Sequence, residues 1–205
     1  NAVIHMAAVA GRIGMKLDLD DFNLLSDETP VLVDLKPVGA GYMEDFHYAG
    51  GLEGVLREIA PQLETDTRSI TGETLADRLA RPLADPIDRS VIREAATPIS
   101  PVGGLIALRG SLAPEGAILK RAAATEALLE HEGRAVVFTS LEDLAARIDD
   151  PDLDVTAEDI LVLQNAGPKS ASGMPEAGYL PIPKKLAQAG VKDMVRISDA
   201  RMSGT

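Results

Sequence analysis

The sequence predicts an α/β layer followed by a mixed-β region of barrel-like character, and three observations predict it. Up to about residue 96, helical spacing of apolar side chains recurs around one run of β-branched residues. Beyond that point, short apolar runs alternate with turn signals, the pattern of strands. Between the two lies "TPISPVGG" (97–104), with two prolines and two glycines in eight residues, which marks a boundary. The division is therefore 1–96 and 97–205.

The elements follow in order. Residues 2–14, "AVIHMAAVAGRIG", carry apolar side chains at helical spacing, with Asn1 in the N-cap place. A short helix is expected around Asp20–Leu25, then a buried strand in "PVLVDL" (30–35). "KPVGAGYMEDFHYAGG" (36–51) reads as turn-rich, and "LEGVLREIAPQL" (52–63) as helical again. "TGETLADRLA" (71–80) predicts a helix capped by Thr71. In the second region "LIALRG", "GAILK", "RAVVFTS", "DILVLQN" and "DMVRIS" read as strands. Two helices are interspersed. One is "LEDLAARI", opened by a capping box from Thr139 to Glu142. The other lies in "PIPKKLAQAG", with prolines at its start and Gly190 after its end.

Composition narrows the function. The 205 residues are 45% hydrophobic, enough for a core, but only 3% aromatic, so Ala, Leu, Val and Ile do most of the packing. The net charge of −12, from 20 basic and 32 acidic residues without a basic cluster, argues against nucleic-acid binding. No apolar run approaches the roughly 20 residues of a membrane helix. There is no cysteine, so neither a disulfide framework nor a cysteine-ligated metal centre can be built from this chain alone. The chain starts at Asn1 and stops just after an expected strand, and both ends read as cuts in a longer polypeptide.

Of the three histidines, His5 falls in an apolar helical run and reads as a core residue, and His131 in a solvent-facing turn. His47, in "MEDFHYAGG", is the one to consider for a site, without an assigned role. No G-x-S-x-G elbow supports serine-hydrolase chemistry. Two loops carry the chemistry. "NAGPKSASGMPEAGYLP" (165–181) follows a strand and can present Glu176, a suitable oxygen ligand for a hard cation such as Mg²⁺; its ordinary alternative is a surface connection. "SDARMSGT" (198–205) has the same form, with Ser203 and Thr205 hydroxyls beside Gly204 and with Arg201 able to hold a carboxylate bidentately; its alternative is a plain turn. Two such loops can converge on one pocket.

At these loops the sequence resembles the dihydroxyacid and sugar-acid dehydratases, the family of dihydroxyacid dehydratase and phosphogluconate dehydratase. The resemblance runs through "NAVIHMAAVAGR", "LKPVGAGYMEDFHYAGG", "LRGSLAPEGAILK", "VVFTSLEDLAARIDDPDLDV", "NAGPKSASGMPEAG" and "MVRISDARMSGT", in the family's order. "SDARMSGT" is most like the arabonate and xylonate branch. The resemblance implies that 1–96 is the latter part of an N-terminal α/β domain and 97–205 an incomplete C-terminal β-barrel-like domain, with the active site between them. It implies a cytoplasmic homodimer or homotetramer acting on a small-molecule sugar acid, with an iron–sulfur cluster whose cysteines precede this region, and with Mg²⁺. Residue by residue, Glu176 matches the family's magnesium ligand, Ser203 its proposed catalytic base and Thr205 a threonine beside it. The 27-residue step from Glu176 to Ser203 is like the family's. The implied reaction is β-elimination of water from a 2,3-dihydroxy acid to a 2-keto-3-deoxy acid, and this chain by itself is expected to be inactive. The alternatives are a branched-chain dihydroxyacid dehydratase and a non-catalytic binding or assembly module.

Overall fold

A computed structural model describes residues 2–167, 170 and 179–202. The chain divides into two compact units, 2–123 and 124–205.

The first unit opens with α1 (Ala2–Arg12), which matches the apolar periodicity; the expected cap Asn1 lies outside the described residues. Helix α2 (Leu19–Glu28) starts at Asp18, whose side chain accepts from the backbone amides of Asp20 and Asp21. The expected strand 30–35 forms isolated bridges instead, Val31 with Ser100 and Val33 with Ile92. Its partner is broken: Arg93 N donates to Leu32 O and Ile99 N to Val31 O, while the segment between them turns at Glu94–Thr97 and contains Pro98, which has no N–H to donate.

Part of the expected turn 36–51 is helical. Helix α3 (Met43–Tyr48) begins where the Asp45 carboxylate accepts from Tyr42 N at 2.7 Å. Helix α4 (Gly51–Glu58) stops short of the expected residue 63, and Pro61 forces a 3₁₀ turn at Ala60–Gln62. In α4, Gly54 is buried against the fully buried Ile92, whose Cδ1 would lie 3.3 Å from an added Cβ; glycine lets the helix approach that closely. Helix α5 (Leu75–Leu79) starts three residues later than expected, because Thr74 and not Thr71 caps it, accepting from Asp77 N at 3.0 Å. An antiparallel hairpin of β1 (Ile106–Leu108) and β2 (Ala117–Leu119) completes the unit. The Asn23 side chain of α2 holds β1 by exchanging two hydrogen bonds with the Ala107 backbone.

The second unit is a β-α-β-α-β arrangement: β3 (Ala135–Phe138), α6 (Leu141–Arg147), β4 (Ile160–Leu163), α7 (Lys184–Gln188) and β5 (Arg196–Ser198). Its three strands are parallel in the order β3-β4-β5. The central strand buries Leu161 and Leu163, β3 buries Val136 and Phe138, and α6 adds Leu144 and Ile148 just beyond its end. Leu186 of α7 packs on the same core. Helix α6 is capped by Ser140, which accepts from Asp143 N at 3.1 Å, while Asp143 accepts from Thr139 N; the cap thus lies one residue after the Thr139 that the sequence suggests, and the expected Thr139–Glu142 box does not form. Helix α7 begins after Pro183, and Gly190, two residues past its last residue, takes the left-handed conformation at φ 93°, as its prolines and glycine predict. Among the described residues no helix is long and apolar enough to cross a membrane.

Candidate functional site

Parallel strands place their carboxyl ends on one edge, and ligands of open α/β sheets bind outside that edge. Here the three ends are level: Phe138 pairs with Leu163, and Leu163 with Ser198. The residues that follow them are tied together. After β4 the backbone turns sharply, with Asn165 at φ 57°, a conformation that asparagine tolerates better than most residues. The Asp199 carboxylate, directly after β5, accepts from three consecutive amides there: Asn165 N at 2.9 Å, Ala166 N at 3.0 Å and Gly167 N at 3.1 Å. Asn165 in turn donates from Nδ2 to Thr139 O after β3 at 3.0 Å. At Gly167 an added Cβ would stand 2.2 Å from Asp199 O, so the two backbones meet directly and only glycine fits.

Both loops singled out in the sequence leave from this junction. Glu176, Ser203 and Thr205 lie outside the described residues. Arg201 is half-buried two residues after Asp199. His47 sits in the other unit, exposed on α3 and edge-on to Tyr48, with ring centroids 5.3 Å apart. The junction residues Asn165 and Asp199 were not picked out from the sequence. Their position immediately after strand-like runs is the signal that marks them.

Two cavities lie in the first unit. One, of about 320 Å³, is apolar, bounded by Val3, Phe22, Leu25 and Ile118, and holds no titratable side chain. The other is lined by Asp34, Asp45 and Asp88, each of which accepts from a nearby backbone amide. Those bonds occupy the carboxylates locally, and the Ser90 hydroxyl and amide hold Asp88 below the ordinary carboxylate range. Among the described residues no three His, Asp or Glu side chains are arranged to hold a metal ion, and the chain has no cysteine. The residues described here therefore complete neither a magnesium site nor an iron–sulfur site.

Among its described residues the second unit is thus a parallel α/β sheet whose exit loops are fastened to one another at the carboxyl ends of its strands. The chain belongs to the dihydroxy-acid/6-phosphogluconate dehydratase family: the family's N-terminal model matches residues 1–78 and its C-terminal model residues 90–205. Over its full length the chain is 48% identical to an L-arabonate dehydratase of Azospirillum brasilense and 47% identical to a 6-deoxy-6-sulfo-D-gluconate dehydratase of Pseudomonas putida. It is 36% identical to a dihydroxy-acid dehydratase of Caldicellulosiruptor bescii. The chain spans 35% of the first relative's length and 36% of that of each of the other two.

Proposed function

We propose that these residues are part of a sugar-acid dehydratase, a hydro-lyase that converts an aldonate to its 2-keto-3-deoxy acid. One observation carries the reading: across the whole chain, identity to dehydratases named for sugar acids is 46–48%, against 36% for one named for dihydroxy acids. The branched-chain dihydroxy acid is the second reading, and the same identity gap disfavours it.

The chemistry is a β-elimination. The C2–H bond breaks and its electron pair forms the C2–C3 double bond. The C3–O bond breaks, and the departing hydroxide leaves as water with one proton. The enol then tautomerises to the 2-keto acid. Ser203 is the proposed acceptor of the C2 proton. A free serine hydroxyl is far too weak an acid to be ionised at neutral pH, so it needs positive charge close by, and Arg201, two residues earlier, is one source. Thr205 and Arg201 would hold the substrate's oxygens. Glu176 is the one magnesium donor proposed from this chain, and the cluster's thiolates would come from elsewhere in a longer polypeptide. When bound, such groups supply Lewis acidity at the leaving hydroxyl and at the developing enolate. We further propose a cytoplasmic homodimer or homotetramer, with 97–205 belonging to a β-barrel-like domain.

The test is turnover by the full-length polypeptide on L-arabonate, D-xylonate, 6-phosphogluconate and 2,3-dihydroxyisovalerate, read as keto-acid formation. A sugar acid is expected to lead. Dihydroxyisovalerate leading would move the protein to the other branch, and no turnover of any acid would sink the enzyme reading. In the active protein Ser203→Ala should lower kcat by about a hundredfold or more with iron and magnesium retained. Wild-type turnover in that variant would remove Ser203 as base. Glu176→Gln should raise the magnesium concentration for half-maximal activity; an unchanged titration would rule out its role as ligand.

A further inference from the structure

We propose that Asp199 is a positioning residue for the elimination, holding the loop toward Glu176 and the loop toward Ser203 in one fixed relation. This rests on the dehydratase reading above. Both carboxylate oxygens are engaged: Oδ2 accepts from Asn165 N, and Oδ1 accepts from Ala166 N and Gly167 N. A row of consecutive amides that points to one side is an anion cradle, and here the protein fills it with its own carboxylate. Charge-assisted bonds of this kind are stronger than neutral ones, and three of them converge on one side chain. The junction is closed from two further sides. Asn165 Nδ2 fastens it to the end of β3, and the Gly167 backbone packs directly against Asp199 O.

The consequence is positional. Glu176 follows Gly167 by nine residues and Ser203 follows Asp199 by four. A proposed metal ligand and a proposed base therefore leave from opposite sides of the same clamp. With both oxygens accepting from backbone amides, Asp199 acts as a brace between the two loops. An amide in its place could accept through one oxygen only, and its NH₂ would face an N–H donor. The loops would then separate, and a displacement of about 1 Å at reacting groups costs on the order of a hundredfold in rate.

The experiment uses the full-length polypeptide and its Asp199→Asn variant, assayed on the best acid of the panel. The expected result is a kcat lowered by about tenfold to a hundredfold, a smaller rise in KM for the acid, since the proposed substrate-binding side chains Arg201 and Thr205 are kept but move with the same loop, and a raised half-saturating magnesium concentration. Hydrogen exchange should show lost protection at the amides of Asn165, Ala166 and Gly167, with the β4 amides still protected. Wild-type kcat and magnesium dependence in the variant would overturn the proposal, as would unchanged exchange at the three amides. A wild type inactive on every acid would instead overturn the dehydratase reading, and this role with it. Should Asp199→Asn not fold, Gly167→Ala keeps the carboxylate and forces the two backbones apart; it should reproduce the kinetic pattern, and wild-type behaviour there would count equally against the clamp.

Discussion

Asp159 is the buried charged residue of the described structure, 5% exposed at the amino end of β4. Its carboxylate accepts from Arg134 Nε at 3.2 Å, from Arg134 Nη2 at 2.9 Å and from Thr156 N at 2.8 Å. Arg134 also binds the Asp154 carboxylate, and between the two carboxylates its own pKa rises. The Arg134 hydrogen bonds are the largest cause that holds Asp159 down to about 2, from an ordinary value of 3.8. A depressed folded-state pKa stabilises the fold above the unfolded value, and that contribution disappears as pH falls from about 4 through about 2. Asp159→Asn should therefore lower stability at neutral pH by about 2 kcal/mol through lost charge-assisted bonds. It should also flatten the acid limb of a stability–pH profile between pH 4 and 2. Urea unfolding across that range checks both, and parallel acid limbs in wild type and variant would show that Asp159 is not the group responsible.

The start of α5 separates sequence pattern from structure at the level of an element. The sequence offers Thr71 and Thr74 as caps, and three residues on from each stand Thr74 and Asp77. Only the second arrangement returns a carboxylate to its own cap: Asp77 accepts from Thr74 N and from the Thr74 hydroxyl, while Thr71 spends its hydroxyl on Ser69. Thr74→Ala should cost the helix about 1 kcal/mol and Thr71→Ala less than about 0.5 kcal/mol, read as hydrogen exchange over residues 75–79. Equal effects would reinstate Thr71. The same contrast explains what was legible elsewhere. The five strand cores were readable because their apolar runs stand between turn residues, and α7 because proline and glycine bracket it. The helix α3 was not, since glycines on both sides of "YMEDFHY" mask six helical residues. The run at 30–35 reads as a regular strand but forms only isolated bridges, because its regularity depends on a partner some sixty residues away that turns at Glu94–Thr97. The parallel pairing of β3, β4 and β5 has the same origin: three- and four-residue runs carry no mark of which distant run they meet. Of the candidate site, the two loops and their residues were visible as motifs, but the Asp199 clamp that joins them is a tertiary fact between positions more than thirty residues apart.

At the scale of the whole molecule the question is what these 205 residues can do by themselves. The second unit has its own core, built from both crossover helices and alternate residues of β3 and β4, namely Val136, Phe138, Leu161 and Leu163. The first unit buries less of its apolar surface: Met6, Val9, Ile13 and Met15 in and after α1 are all more than half exposed. A cysteine-ligated cluster cannot form on a chain without cysteine, whatever its fold. The 205-residue chain, purified and treated anaerobically with iron, sulfide and magnesium, should therefore retain no iron after desalting and form no keto acid from L-arabonate, while the full-length polypeptide does both. The paired assay has a clear adverse outcome. Keto acid produced by the 205-residue chain would mean that elimination needs neither the cluster nor the donors outside these residues. Ser203 and its neighbours would then carry the reaction by another route, with the leaving hydroxide protonated by a side chain of this chain.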